Sequence, residues 1–261
     1  MCGIVGYVGK KQAVPILMDG LSKLEYRGYD SAGVAVMQDG EIKIKKSKGR
    51  LAVLQEKLDN GEPLSGVMGI GHTRWATHGE PSDTNSHPHL SRSGRFAVVH
   101  NGIIENYMKL RQMLINKGFE FISETDTEVI AQLVEYYYNG DIVETLTKVV
   151  ERVEGSYALG ILCADNPDSF VAVRKESPLI VGLGEGENFI ASDIPAVLSR
   201  TRNVYFLEDN EIVKLEKNRV SVFNMDKEEV AKEPYEVKWD IAAAEKGGYE
   251  HFMLKEIMEQ P

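Results

Sequence analysis

A thiol stands at position 2, between Met1 and Gly3. A methionine followed by a small residue is ordinarily trimmed, and trimming leaves Cys2 with a free α-amine. Thiol and amine then share one residue, with ordinary pKa values of about 8.5 and about 7.7–8.0. Near neutral pH the amine can take the thiol proton, directly or through water, which is the logic of N-terminal nucleophile catalysis. Gly3 lets other backbone approach, and an apolar strand over 4–8 would hold the terminus rigidly. A small cysteine buried in a strand satisfies the same pattern, so position alone does not decide between the two.

Three other segments bunch polar groups where strands or helices begin or end. Residues 72–79 (His-Thr-Arg-Trp-Ala-Thr-His-Gly) follow an apolar run, and rigid scaffolds present ligand-binding groups in such places. Arg74 has the fork that grips a carboxylate with two parallel hydrogen bonds, or it is a surface arginine packed on Trp75. Residues 100–106 (His-Asn-Gly-Ile-Ile-Glu-Asn) end another strand. The Asn101 amide and the Gly102 N–H can jointly hold a developing oxyanion, although Asn-Gly is also a common turn pair. In residues 123–128 (Ser-Glu-Thr-Asp-Thr-Glu), Asp126 can accept the ammonium of an amino acid, or simply cap the helix that follows, a place that Thr125 could also take.

Other features argue against competing chemistries. Five of the six histidines lie between 72 and 100, but without the His-Glu-x-x-His or Cys-x-x-Cys spacing of a metal site. Gly182, Gly184 and Gly186 miss the dinucleotide fingerprint because Glu187 stands where it would continue and a strand follows, so a hairpin turn is expected. Cys163 ends an apolar strand and reads as core. Lys43, Lys45, Lys46 and Lys48 read as the solvated face of a hairpin.

The elements that would position these groups run in mixed order. Strands are expected at 2–8, at 33–38 and 41–45 around an Asp39-Gly40 turn, and at 67–73 and 95–100. Helices are expected over 11–25, around Leu51, Leu54 and Leu58, from Tyr107 to Ile115, over 126–138 and over 142–153. Seven further strands follow, at 156–163, 169–174, 179–183, 188–192, 203–208, 211–216 and 219–223. Strands, then helices, then a run of strands is the order of an α+β protein with antiparallel sheets, not of a doubly wound one. Residues 226–248 are charged and weakly patterned, and 249–260 reads as an amphipathic helix. The abrupt stop at Gln260-Pro261 suggests that further chain follows.

The composition is that of an ordinary globular protein of 261 residues, 43% hydrophobic and 27% charged. A net charge of −10 leaves no general basic face for nucleic acid or an anionic membrane. Two cysteines cannot form a disulfide framework, and no signal peptide or membrane-length apolar run is present, so a cytoplasmic location is expected.

Taken together, the start Met-Cys-Gly-Ile-Val-Gly, residues 24–33 (Leu-Glu-Tyr-Arg-Gly-Tyr-Asp-Ser-Ala-Gly), 72–79, 100–106, 123–128, 179–193 and 253–261 resemble the glutaminase domains of the glucosamine-6-phosphate synthase family of class II amidotransferases. The resemblance runs through nearly the whole chain. It implies an N-terminal nucleophile hydrolase fold, two antiparallel β-sheets packed face to face between helical layers. It implies that Cys2 attacks the side-chain amide of L-glutamine to form a thioester, with Asn101 and Gly102 as oxyanion hole. It further implies that Arg74 binds the α-carboxylate and Asp126 the α-ammonium, and that Trp75, Thr77 and His78 belong to a loop closing over the substrate. No cofactor and no metal are implied. The expected division is a glutaminase domain over 1–225 and a segment over 226–261 leading to a sugar-phosphate isomerase domain, the partner that uses fructose 6-phosphate, in a homodimeric full-length enzyme of hexosamine biosynthesis. The piece alone is expected to hydrolyse glutamine without completing sugar amination. Two alternatives stay open: a glutamine-sensing module that keeps Met1, and an unrelated thiol hydrolase with His78 or His100 as base.

Overall fold

A computed structural model describes residues 2–238 together with 254, 257 and 258. In chain order the elements are β1 (Gly3–Val8), α1 (Ala13–Ser22), β2 (Ser31–Gln38), β3 (Glu41–Lys48), α2 (Leu51–Asp59), β4 (Met68–Arg74), β5 (His89–Leu90), β6 (Phe96–Ile104), α3 (Tyr107–Asn116), α4 (Thr127–Tyr137), α5 (Ile142–Val150), β7 (Gly155–Cys163), β8 (Ser169–Lys175), β9 (Ile180–Leu183), β10 (Asn188–Ala191), β11 (Asn203–Phe206), β12 (Ile212–Glu216), β13 (Arg219–Phe223), β14 (Glu229–Val230) and β15 (Tyr235–Glu236). They form an eight-stranded sheet, ordered β15-β11-β9-β10-β1-β4-β2-β3, and a seven-stranded sheet, ordered β14-β13-β12-β8-β7-β6-β5. Neighbouring strands in both are antiparallel.

Side-chain alternation along the strands builds the layers. Ile4 and Val8 of β1 join Ile70 of β4 in an apolar layer shared with Val99, Leu162 and Val213 of the other sheet. Val5 and Tyr7 point the opposite way, into a second core with Leu17 and Leu21 of α1 and Leu54 of α2. Likewise Phe96 and Val98 of β6 meet Leu110, Ile130 and Leu146 of α3, α4 and α5 in a third. The order is helices, sheet, sheet, helices, as the family resemblance implies. Both faces of the central strands are covered, so their sequences read as continuous apolar runs rather than alternating ones.

Asp39 takes the left-handed conformation in the tight β2–β3 turn, and Gly184 to Gly186 lie in the β9–β10 hairpin turn. Three two-residue strands, β5, β14 and β15, are additions to the sequence reading. Residues 226–238 are thereby tied to the body, β14 to β13 and β15 to β11, with Val237 fully buried. The helix expected over 249–260 lies largely outside the described residues; Leu254, Ile257 and Met258 are helical and exposed.

Candidate active site

Cys2 precedes β1, the neighbour of β4 in the first sheet, and Gly3 pairs with Thr73. That register sets the thiol beside the residues that leave β4. The Trp75 N–H donates to Cys2 Sγ at 3.2 Å, and Sγ lies 3.5 Å from the Trp75 carbonyl oxygen. Burial pushes the Cys2 thiol up, opposed by the Trp75 N–H and the positive charge of Arg74. The resting group is therefore a thiol, and attack needs a base at that moment.

From the second sheet, β6 brings Asn101 to the same place. Asn101 Nδ2 donates to the Cys2 carbonyl oxygen at 3.0 Å, joining the two sheets at the nucleophile. Asn101 and Gly102 form no turn: they lie within β6, opposite Ala158 and Tyr157 of β7. Gly102 has φ 121°, and a Cβ there would stand 2.0 Å from the Ser156 carbonyl oxygen. Only glycine fits that conformation and that approach.

Arg74 ends β4 and is almost entirely buried. Its Nη2 donates to the carbonyl oxygens of His78 and of Gly79, the latter at 2.9 Å, while buried Nη1 has no hydrogen-bond partner among the described residues. Burial pushes this guanidinium's pKa down, opposed by Asp30 and Asp126. Asp126 immediately precedes α4 but does not cap it with its side chain. Thr125 Oγ1 instead accepts from the Glu128 N–H at 3.3 Å. The Asp126 carboxylate turns to β6, where Oδ2 accepts from the Ile104 N–H at 2.9 Å. Arg74 and Asp126 thus face one space as separated opposite charges.

That space is a cavity of about 360 Å³, and Cys2, Arg74, Trp75, Thr77, Asn101, Gly102 and Asp126 all line it. His78 stands outside the lining. Its ring lies 3.8 Å from Asp126 Oδ1 and packs edge-on against Tyr107. A larger, more open groove of about 810 Å³ along α1 and α2 holds none of these residues. Among the described residues no cluster of His, Cys, Asp or Glu is arranged to hold a metal ion.

The site also depends on residues to which the sequence assigned no role. The Asp30 carboxylate accepts from the Ala76 N–H, and the Asp30 N–H donates to the Arg74 carbonyl oxygen at 3.1 Å. A Cβ on Gly28 would lie 2.9 Å from the Arg74 carbonyl carbon, so the strap through Gly28 and Asp30 presses directly on the 74–79 loop. Arg27, held to Asp193 at 3.0 Å, also lines the cavity. The signal for both lies in residues 24–33, where Arg27 and Asp30 are charged groups within a glycine-bearing segment. Histidines at 72, 87, 89 and 100 form a buried cluster, in which His87 and His100 line the cavity and His72 and His87 stack 4.1 Å apart. Both Sγ contacts go to the Trp75 backbone, His100 Nδ1 is taken by Thr127 Oγ1 at 2.8 Å, and burial pushes His100 down. Among the described residues no histidine nitrogen contacts Cys2 Sγ, although the His100 ring lines the same cavity.

Residues 72–199 match the family described as glutamine amidotransferase domain. Among solved structures, a glutamine phosphoribosylpyrophosphate amidotransferase from B. subtilis superposes with a TM-score of 0.74 at 26% identity, over 86% of this chain and 49% of that one. Fold and site define a glutamine amidotransferase domain of the N-terminal nucleophile type. Within that class the chain belongs to the glutaminase part of the glutamine–fructose-6-phosphate aminotransferases, matching the N-terminal part of those proteins. Over its full length it is 67% identical to the protein of that name from Caldanaerobacter subterraneus and 52% identical to that from Aquifex aeolicus. It spans 43% and 44% of their lengths, less than half of either.

Proposed function

We propose that Cys2, freed of Met1, is the nucleophile that hydrolyses L-glutamine in this cavity. The thiol sulfur bonds to the side-chain amide carbon, and the thiol proton passes to the Cys2 α-amine and on to the departing ammonia. Asn101 and Gly102 hold the oxyanion. Water then cleaves the thioester, releasing glutamate and restoring the thiol. One observation carries the reading: Arg74, buried with one guanidinium nitrogen that has no partner among the described residues, and Asp126 face the space that holds Cys2. A cation and an anion held apart suit the two charges at the α-carbon of an amino acid. Trp75, Thr77 and His78 form the loop that covers it, with His78 acting through Asp126 and through its carbonyl on Arg74 rather than by lining the cavity.

In the longer proteins that this chain matches, we take the ammonia to serve the amination of fructose 6-phosphate by an isomerase domain, within a cytoplasmic homodimer. The glutaminase domain occupies 1–225, and the segment 226–261, which first lends two short strands to the body, leads to that domain. No helix among the described residues is long and apolar enough to cross a membrane. The test is glutamate release from glutamine by the purified chain, read beside its intact mass. Release by protein lacking Met1 and none by protein retaining it supports the reading. Binding without release in trimmed protein points to a sensing module.

A further inference from the structure

A buried histidine contacts the proposed oxyanion donor from behind. His72 lies in β4, and its Nε2 is 3.0 Å from Asn101 Oδ1 and 2.9 Å from the His100 carbonyl oxygen. Two backbone carbonyls fix the polarity of this chain of contacts. The His100 oxygen can only accept, so His72 Nε2 carries the proton. The Cys2 oxygen can only accept, so the Asn101 amide turns its nitrogen toward Cys2 and its oxygen toward His72. The two constraints agree, and no other combination of tautomer and amide orientation satisfies both.

We propose that His72 is a positioning residue: its Nε2–H holds the Asn101 amide with Oδ1 away from Cys2, leaving one Nδ2 hydrogen for the Cys2 carbonyl and the other for the reacting oxygen. This rests on the glutaminase reading above. An asparagine amide free to rotate would present its oxygen to the oxyanion part of the time, which repels the charge it should bind. Preorganised donors act because they need no reorientation at the moment of reaction. The surroundings keep His72 in the required form. Its Nδ1 is buried without a partner among the described residues, so a proton there would find no acceptor among them. Burial pushes its pKa down to about 3, opposed by the contacts to Asn101 and His100, so the ring is neutral at the pH of glutamine hydrolysis. No polar side chain other than Asn101 contacts Nε2 among the described residues.

The test uses the full chain and variants matched for melting temperature. Glutamine places an amide nitrogen near the Nε2 position of histidine, asparagine near Nδ1, and phenylalanine offers no donor. His72→Phe and His72→Asn are expected to lower kcat ~10–100-fold with KM within about twofold, as for loss of an oxyanion donor's alignment. His72→Gln should recover most of that loss. In an Asn101→Ala background, His72→Phe should cost less than about threefold more, because the two act through one amide. Iodoacetamide, whose displacement reaction develops no oxyanion, should alkylate Cys2 equally fast in all of them. Additive losses in the double variant, an equal fall in alkylation, or a glutamine variant no better than the phenylalanine one overturn the proposal. If His72→Phe does not fold, the glutamine and asparagine variants decide by the same criterion. The ring-nitrogen NMR signals of His72 in the unaltered chain report the tautomer independently of activity. A protonated Nδ1 overturns the positioning role even if glutamine is hydrolysed. Absence of hydrolysis with a protonated Nε2 overturns the glutaminase reading instead.

Discussion

The Asp126 carboxylate is tied through one oxygen to the Ile104 N–H at 2.9 Å, and its other oxygen stands 3.8 Å from the His78 ring. The first contact anchors the group to β6. The cap of α4 is supplied by Thr125, so charge and structure can be separated at Asp126 by mutation. Asp126→Asn keeps an acceptor for Ile104 and removes the charge. Melting should be unchanged while KM for glutamine rises ~10–100-fold, on the scale of about 1–3 kcal/mol for a charge-assisted hydrogen bond. A glutamine analogue lacking the α-amine should show little change between the two proteins. An unchanged KM for glutamine removes Asp126 from the site. Asp126→Ala also strands the Ile104 N–H, and should destabilise the fold by about 1–3 kcal/mol.

Replacing Cys2 by alanine should abolish glutamate release while calorimetry still detects glutamine binding, since the proposed recognition groups are elsewhere in the chain. Turnover above about a thousandth of the unaltered rate would speak against a covalent role. Cys163 sits buried at the end of β7, its side chain in the core beneath the helices. Cys163→Ser should leave kcat within about threefold, at a stability cost of about 1–2 kcal/mol for burying a hydroxyl. A folded Cys163→Ser protein without activity would move the chemistry.

Much of this could be read from residues alone, and the gaps have physical causes. Helix α1 shows itself through Leu17 and Leu21, both fully buried, and the β2–β3 hairpin through Asp39-Gly40. Strand β6 was expected to stop at His100 because Asn-Gly is a turn pair, yet pairing continues to Ile104. The very short strands β5, β14 and β15 offer too few residues to show a period, and both residues of β15 are exposed. Asp126 illustrates the remaining limit. A sequence shows that a residue stands before a helix, but not whether its carboxylate turns to that helix or to a strand whose last residue lies 22 positions earlier. His72 was hidden for the same reason, since its role is a contact between two sheets.

The histidine layer sets a limit on acid stability. Burial holds His72 at about 3 and pushes His87, His89 and His100 below their ordinary value as well. The unfolded chain takes up these protons from about pH 6.5 downward, and the folded chain does not. Lowered folded values mean stability that is fully present above pH 6.5 and lost as pH falls toward each folded value. Each group contributes a slope of up to about 1.4 kcal/mol per pH unit, so four together can exhaust a typical margin of about 5–15 kcal/mol within a few units. Urea melts should therefore show stability dropping steeply between pH 6 and pH 5, above the range where most carboxylates titrate. A flat profile across that interval would show that the layer is not held neutral.

Arg74 does two things with one side chain, and lysine cannot do both. Its Nη2 holds the loop through the carbonyl oxygens of His78 and Gly79, while buried Nη1 is left for the cavity. A lysine ammonium is a single point at the end of a flexible stem, and in this setting it would settle on the two loop carbonyls. The cavity then loses its fixed cation although the net charge is unchanged. Arg74→Lys should raise KM for glutamine ~10–100-fold, equivalent to about 1–3 kcal/mol, with a smaller fall in kcat. The companion substrate is 4-aminobutanamide, which keeps the amide and the amine but lacks the α-carboxylate. It should bind weakly to both proteins, with nearly equal KM. If the substitution instead raises KM for both substrates by the same factor, Arg74 acts by shaping the 74–79 loop, and the carboxylate must be held by another group lining the cavity, for which Arg27 is the remaining cation.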